Sequence, residues 1–394
     1  MLQPKLPPPH KLNITSISNM SEAEALLLLK NWRWESRDAL DLDDVECPHC
    51  GCDKCKFIPK SSDKNHWANK SGNRWRCRDC YKFFSVTSGT AFAYHKLSLK
   101  QLLLVLLIWA AEAYTTSSCK LARLIGITQK NAYLFKMKIN EVLLQTQDSS
   151  PMKSLVQMDG CFVTKALRFN RFLPKEEFKN KKIQKKEEMR CIIVASQKSD
   201  NKEIKGSNRT LFMITKGEHK EDILPFAKKF IPTFSEVWTD GHFAYRDLQY
   251  LYHHRFVNHS QEFITDDGVH NNYCESVNSR FRQLQSTLHK LSNLRLPYYM
   301  AEIAYRTDNR RYFAGEIVKD VCQRFFRLKP LRDWMNYTRG NRPKEEHLGM
   351  KLIEHFESKQ RNNLIKPPIA SKSFGEVAHV SLPTLAYATD LIPV

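Results

Sequence analysis

The hydrophobic and polar positions of the first 150 residues follow the helical period, apart from one segment. Residues 21–34 place apolar side chains at helical spacing, and Ser21 with Glu24 predicts a capping box at the start of that helix. Residues 98–113 predict a strongly apolar helix, and residues 117–144 predict a pair of helices. Residues 38–94 carry few helix signals, so we expect a different kind of fold there.

Beyond residue 150 the pattern changes to short β-type runs that are rich in Val, Ile and Phe. The predicted elements are strands over 155–163, 189–195 and 211–215, a helix over 220–230 and a strand over 236–239. From about residue 271 to residue 328 the pattern is helical again. Strands followed by a helix, a strand and more helices indicate an α+β fold class.

Breaks between these patterns predict a multi-domain chain. Its predicted parts are a disordered arm (1–20), an N-terminal helix (21–45), a cysteine-rich segment (46–95), a helical region (96–148), a mixed α/β domain (149–330) and a tail (331–394). The highly charged residues 172–189 are expected to form a surface excursion between the first two strands of the mixed domain. The tail is polar and irregular in pattern, and no function is assigned to it.

The charge of the chain narrows the class of partner. Lysine and arginine outnumber aspartate and glutamate by 62 to 42, which gives a formal net charge of +20. A balance this basic favours nucleic acid or an anionic membrane surface. The sequence has no run of about 18 apolar residues, and residues 1–11 lack the apolar core of a signal peptide. We therefore expect a soluble intracellular protein that binds nucleic acid, with no membrane partner.

Six of the eleven cysteines are clustered within residues 47–80, which is typical of a metal site. Two CxxC knuckles separated by 26 residues supply four candidate ligands, namely Cys47, Cys50, Cys77 and Cys80. Four thiolates complete the tetrahedral site of a structural Zn²⁺. Cys52 and Cys55 form a third CxxC that either replaces a ligand or is spare, and we favour the second interpretation.

Two segments are candidates for contact with DNA. Arg76, among aromatic and basic residues beside the second knuckle, suits contact with the DNA backbone, although a solvated face around a small core is the alternative. Residues 117–141 predict a helix-turn-helix with Gly126 at the turn and Thr128 as the cap of the second helix. That helix is expected to expose Gln129, Lys130, Asn131, Lys136 and Lys138. These side chains can contact phosphates and base edges, whereas a generic helical hairpin would use none of them.

Three carboxylates stand at positions that suit metal-dependent chemistry. Asp159 is expected at the end of the first strand of the mixed domain, and Asp240 at the end of a later one. Glu275 follows with 34 residues between it and Asp240, at the start of a helical stretch. Phosphodiester cleavage and strand transfer use two divalent metals about 3.5–4 Å apart, and Mg²⁺ prefers oxygen ligands. Each acid alone is more typical of a turn or cap, but their order on a basic background favours a metal site.

From about residue 47 to residue 310 the chain resembles bacterial insertion-sequence transposases with an N-terminal zinc ribbon and a ribonuclease-H-like DDE domain. The residues that carry the resemblance are Cys47-Pro-His-Cys50, Arg76-Cys77-Arg-Asp-Cys80, Phe84-Ser-Val-Thr-Ser-Gly-Thr90, Asp159-Gly160, Thr239-Asp-Gly241, His270-Asn-Asn-Tyr-Cys-Glu275, Tyr305-Arg306 and Asn309-Arg310. The chain departs from the family after Asp159, where it reads Gly-Cys-Phe-Val instead of a Glu-Thr-Tyr-Val-Gly-Gly type of run. The resemblance implies a zinc ribbon plus helix-turn-helix, followed by a ribonuclease-H-like mixed α/β catalytic domain.

The resemblance also implies roles for individual residues. Asp159 and Asp240 would be the first two metal ligands, and either Asn272 or Glu275 the third catalytic residue. We prefer Glu275, because a carboxylate is the better ligand for Mg²⁺. Arg282 lies two helical turns after Glu275 on the same face and stands where the family has a DNA-binding basic residue. The implied cofactors are two Mg²⁺ or Mn²⁺ per active site and a structural Zn²⁺.

The implied function is that of a DNA transposase. It would bind the terminal inverted repeats of its own insertion sequence and catalyse metal-dependent cleavage and strand transfer into target DNA. Because two ends must be joined in one complex, a homo-oligomer on DNA is expected, in the bacterial cytoplasm and associated with the nucleoid. The alternatives are a non-catalytic DNA-binding regulator derived from such an enzyme, and a nuclease with the same metal chemistry but no strand transfer.

Overall fold

The computed structural model contains two β-sheets surrounded by helices. It describes residues 6–35, 40–60, 73–163, 183, 187–201, 206–258, 264–288, 291–335, 337 and 345–365. Most of the predicted excursion at 172–189 lies outside these residues. No helix within the described ranges is long and apolar enough to cross a membrane.

The N-terminal residues form two short helices that begin with capping boxes. Helix α1 spans Ile14–Asn19, and helix α2 spans Glu22–Trp34. The predicted capping box of α2 is confirmed, since Ser21 accepts from the backbone N–H of Glu24 and Glu24 accepts from that of Ser21. The prediction of a disordered arm is wrong for residues 9–19. Leu12 and Ile17 in this segment are buried, and α1 packs against the apolar helix that follows the cysteine-rich segment.

The cysteine-rich segment forms a small antiparallel sheet. Its strands are β1 (Cys55–Ile58), β2 (Arg74–Cys77) and β3 (Phe83–Phe84). Trp75 is fully buried, stacks on Phe84 with ring centroids 5.8 Å apart, and meets the ring of Trp34 edge-on at 5.5 Å. These aromatic contacts attach the sheet to α2, so the ribbon does not form a core of its own.

Three helices follow, and they match the predicted positions. They are α3 (Leu99–Ala111), α4 (Ser118–Ile125) and α5 (Gln129–Gln145). Gly126 ends α4 with φ of +71°, a conformation that favours glycine, and the Thr128 side chain caps α5. The predicted turn and cap are therefore confirmed, whereas a role of this helical pair in reading DNA remains a prediction.

A five-stranded mixed sheet forms the centre of the second half of the chain. Its strands are β4 (Val156–Val163), β5 (Arg190–Lys198), β6 (Ser207–Thr215), β7 (Glu236–Asp240) and β8 (His253–Val257). The order is β6-β5-β4-β7-β8, with antiparallel pairing among β4, β5 and β6 and parallel pairing from β4 through β7 to β8. This sheet agrees with the predicted fold class. The edge strand β8 was not predicted, because its sequence, HHRFV, lacks an apolar run.

Helices cover both faces of this sheet. Helix α6 (Lys220–Phe230) packs on one face with the 3-10 helix Phe243–Tyr250. The other face is covered by α7 (Asn272–Leu288) and α8 (Leu296–Asp308). Helix α9 (Ala314–Arg327) packs on α2, α3 and α5, within a core that continues from this face into the N-terminal helices. Helix α10 (Met350–Asn363) lies in the tail that was expected to be irregular. It forms because Leu352 and Phe356 are buried against the rest of the protein.

A buried ionic cluster joins the helical region to the mixed domain. Glu302 on α8 is completely buried, and its carboxylate lies 3.5 Å from Lys136 and 3.0 Å from Arg306. Trp109 of α3 and Asn140 of α5 donate further hydrogen bonds to it. The expectation that α5 exposes Lys136 to DNA is therefore wrong, because this ammonium compensates a buried carboxylate.

Candidate active site

Two parallel strands bring two aspartates together at the centre of the mixed sheet. Val156 pairs with Val237 and Gln157 with Trp238, so Asp159 and Asp240 each follow two residues beyond the last pair. Asp240 ends its strand as expected, but Asp159 lies within β4 and not at its end. Both side chains are half-buried, at the place where β4 and β7 diverge.

A third carboxylate, which the sequence analysis did not select, completes the cluster. One carboxylate oxygen from each of Asp159, Glu218 and Asp240 lies within 4.8 Å of the other two. Glu218 is buried and lies between β6 and α6, on the loop that follows β6. Three hard oxygen donors at this spacing fit the requirements of a divalent cation such as Mg²⁺ or Mn²⁺.

The position of Glu218 depends on two neighbours. The Tyr245 hydroxyl donates a hydrogen bond of 2.6 Å to Glu218 Oε1. The carboxylate also packs against Gly160, where a Cβ atom would lie only 2.3 Å from Oε1. Glycine at position 160 therefore leaves the space that this carboxylate fills beside Asp159.

The site has an excess of negative charge. Burial, together with the charges of Asp240, Glu218 and Glu275, raises the pKa of Asp159 to about 8. Burial likewise raises the pKa of Glu218, opposed by the hydrogen bond from Tyr245. Asn278 of α7 donates a hydrogen bond of 2.7 Å to Asp159 Oδ2. A bound cation would favour the ionised carboxylates, since its positive charge would offset their mutual repulsion.

Gln157 fixes the start of α7 against the sheet. Its side-chain oxygen accepts from the Tyr273 backbone N–H at 2.8 Å, and its amide lies 3.2 Å from His270 Nδ1. Both candidates for the third catalytic residue stand on the first turn of α7, and both are exposed. Glu275 is outside the group of three carboxylates, but its negative charge contributes to the raised pKa of Asp159. Among the described residues, the Asn272 side chain has no such interaction with the carboxylates.

Arg282 lies further along α7 and borders the same site. Its side chain is exposed. It interacts with the thiol of Cys161, which is two residues beyond Asp159 on β4. Burial raises the pKa of this thiol, and the Arg282 guanidinium partly offsets that rise. An exposed guanidinium at this position is available to a polyanion that approaches the carboxylates.

The four cysteines of the two predicted knuckles meet in the ribbon. Cys47 Sγ lies 3.7 Å from Cys80 Sγ, and Cys50 Sγ lies 3.6 Å from Cys77 Sγ, with all four sulfurs within 4.8 Å of one another. Backbone N–H groups of Cys80 and Asp79 donate to Cys77 and lower its pKa to about 6, which favours the thiolate. This donor set fits a structural Zn²⁺.

The third CxxC lies outside that group. Cys52 accepts a hydrogen bond from the backbone N–H of Lys54, and the buried Cys55 donates to the carbonyl of Cys52. Both sulfurs thus interact with the local backbone, as expected of spare cysteines.

The remaining residues predicted to contact DNA differ in exposure. Arg76 is exposed and its guanidinium lies 5.6 Å from the Tyr81 ring and 5.7 Å from the Phe83 ring. Lys130 is exposed at the start of α5, while Asn131 is half-buried and its backbone N–H bonds to the Thr128 cap. An exposed basic and aromatic group on the ribbon is compatible with backbone contacts to DNA.

Glu218 and Asn278 are the site residues that sequence reasoning missed. Glu218 stands in the run Lys-Gly-Glu-His-Lys-Glu-Asp at 216–222, where nothing distinguishes it from solvated surface charge. Asn278 stands three residues after Glu275, one helical turn along α7. The spacing from Glu275 could have selected Asn278, whereas no signal in the sequence could have selected Glu218.

Comparisons with known proteins match two parts of the chain. A family model described as an ISXO2-like transposase domain matches residues 151–308, which include the three clustered carboxylates and Glu275. A second model, described as a transposase zinc-ribbon domain, matches residues 20–82 and includes the four clustered cysteines. Searches of curated proteins and of solved structures each gave no significant match.

Proposed function

The chain belongs to the family of ISXO2-like transposases with an N-terminal zinc ribbon, and on that basis we propose that it cuts and joins DNA at the ends of its own insertion sequence. The observation that carries the proposal is the cluster of Asp159, Glu218 and Asp240 inside the transposase domain. A regulator that only binds DNA would gain nothing from three carboxylates held this close, because their mutual repulsion costs free energy.

In this proposal the three carboxylates hold a divalent cation, and Glu275 contributes to a second. When bound, Mg²⁺ or Mn²⁺ supplies charge neutralisation at the scissile phosphate and lowers the pKa of a bound water. Asn278 orients Asp159 through its hydrogen bond, and Tyr245 orients Glu218. These contacts fix the carboxylates before DNA arrives, which is the preorganisation that phosphoryl transfer requires.

Exposed basic residues would bind the DNA backbone, both next to the carboxylates and on the ribbon and α5. Arg282 borders the carboxylates, and Arg76 and Lys130 would act from the ribbon and from α5. The ribbon and α5 would hold the terminal inverted repeat while the mixed domain acts on its end. Because two ends are joined in one reaction, we propose that the protein works as a homo-oligomer on DNA.

The proposal is tested with a labelled duplex that carries the inverted repeat flanking the coding sequence, and a supercoiled plasmid as target. Cleavage and joining are measured with Mg²⁺ or Mn²⁺ for the wild type, Asp240→Asn, Glu218→Gln and Glu275→Gln. Glu221→Gln is the matched control, since Glu221 is exposed at the start of α6 and lies outside the cluster. Gel shift with the same duplex measures binding separately from chemistry.

We expect metal-dependent joining by the wild type and Glu221→Gln, and its loss in Asp240→Asn and Glu218→Gln with binding retained. A loss of about 100-fold or more in Glu275→Gln would support Glu275 as a further catalytic acid. Binding by the wild type without any chemistry would replace the proposal with the regulator. Cleavage without joining would replace it with a nuclease.

A further inference from the structure

A groove of about 500 Å³ opens directly beside the catalytic cluster. Asp240 and Gly241 form the wall that it shares with the cluster, and the other lining residues are His242, Arg246, His254, Phe256 and Asn258. Its two sides are the edge strand β8 and the 3-10 helix after β7. Because Asp240 belongs to both, a molecule with a phosphate at the cluster would extend into this groove.

The lining of the groove offers stacking and phosphate contacts. The Phe256 ring is 59% exposed, although phenylalanine is among the residue types most often buried. Arg246 is exposed and forms no ion pair with any residue that the structure describes. His254 is held by its hydrogen bond to Thr239 Oγ1 at 2.9 Å, so its imidazole is fixed at the base of the groove. An exposed ring beside an uncompensated guanidinium is the combination that holds a base and its phosphate.

We propose that this groove binds one nucleotide of the DNA substrate, unstacked from the duplex next to the phosphate bound at Asp240. Its base stacks on Phe256 and its phosphate pairs with Arg246. A volume of about 500 Å³ is the size of a small-ligand pocket and takes one nucleotide. This inference rests on the proposed function, because it assumes that the cluster binds the DNA that is cut.

The test is a double-mutant cycle of binding affinities, which combines substitution of Phe256 with removal of single bases from the inverted-repeat end. Fluorescence anisotropy measures the affinity of wild type and Phe256→Ala for duplexes in which an abasic residue replaces each nucleotide near the cleavage position in turn. Ca²⁺ replaces Mg²⁺ and Mn²⁺ in every sample, so that a divalent cation is present for the carboxylates while the result does not depend on cleavage. Phe256→Trp keeps a stacking surface, and Tyr250→Ala removes a ring that is 76% exposed outside the groove.

On intact DNA we expect Phe256→Ala to bind on the order of tenfold more weakly than wild type, as for loss of one stacked base. When the abasic residue replaces the nucleotide that enters the groove, wild type and Phe256→Ala should bind the duplex equally, because no base remains to stack on the ring. Phe256→Trp and Tyr250→Ala should bind as wild type does. Equal binding of intact DNA by wild type and Phe256→Ala, or the same deficit at every abasic position, would overturn the groove. If these binding results are obtained but the protein never cleaves DNA, the proposed function is wrong and the nucleotide-binding groove is still supported.

Discussion

The contact between Gly160 and Glu218 gives a sharp test of how the cluster is built. Gly160→Ala adds one methyl group, and its Cβ would lie 2.3 Å from Glu218 Oε1 and 2.4 Å from the carboxyl carbon. Ordinary contacts of a Cβ begin near 3.4 Å, so the carboxylate must move by about 1 Å. The oxygen that must move is the one that accepts the hydrogen bond from the buried Tyr245 hydroxyl, so we expect that bond to be distorted.

The expected cost of this change is about 1–3 kcal/mol in the free energy of unfolding, the range for overpacking of a buried site. In a Glu218→Ala background the same methyl group enters empty space, so Gly160→Ala should cost almost nothing there. The coupling between the two substitutions is then also about 1–3 kcal/mol, well above the 0.3–0.5 kcal/mol within which independent sites usually add.

Urea unfolding of the wild type, the two single variants and the double variant measures this coupling. Gly241→Ala is the matched control for stability, because a Cβ at that position meets its nearest atom, on Phe256, at an ordinary 3.8 Å. Titration with Mn²⁺ adds a second readout, since displacement of Glu218 should weaken Mn²⁺ binding by about tenfold or more. The reasoning fails if Gly160→Ala has the same effect with and without Glu218, or no larger effect than Gly241→Ala.

Three further predictions concern other buried groups. Burial raises the pKa of Asp308 to about 8, so the folded protein holds a proton that the unfolded chain releases near pH 4. Wild-type stability against urea should therefore fall as pH rises from about 4 to 8, and this slope should be shallower in Asp308→Asn, where Asp159 still contributes its own share. Glu302→Gln leaves Lys136 and Arg306 buried without their counter-ion, and should cost about 3–5 kcal/mol in the same assay. Cys77→Ser should lower zinc content, measured with a colorimetric chelator, and reduce the near-ultraviolet circular dichroism of the packed ribbon tryptophans.

Features that depend on neighbouring residues could be predicted from the sequence. The capping box at Ser21, the turn at Gly126 and the cap at Thr128 each rely on hydrogen bonds or backbone angles within about four residues. The CxxC knuckles are local in the same sense, because each knuckle places two ligands on one tight turn. The order of strands and helices followed from hydrophobic periodicity, which also located Asp240 at the end of its strand.

Errors arose where side chains met partners from distant parts of the chain. Lys136 is a charged residue in a helix that also carries Lys130 and Lys138, and only the packing of α5 on α8 shows that it faces Glu302. The helices α1 and α10 are short or polar in sequence, and they are stable because Leu12, Ile17 and Phe356 find an apolar surface to cover. The edge strand β8 has no apolar alternation because neither of its faces is consistently buried, and Val257 is its single buried residue.

The sequence by itself determined the ribbon ligands, the helical region, the α+β order and two of the three clustered carboxylates. Only the tertiary structure decided that Glu218 joins Asp159 and Asp240, because that meeting depends on the sheet register and on the space beside Gly160. Hydrogen bonds within one turn are fixed by adjacent residues and can be read from them. A contact across 59 residues, such as that between Asp159 and Glu218, is fixed by packing, which no local pattern encodes.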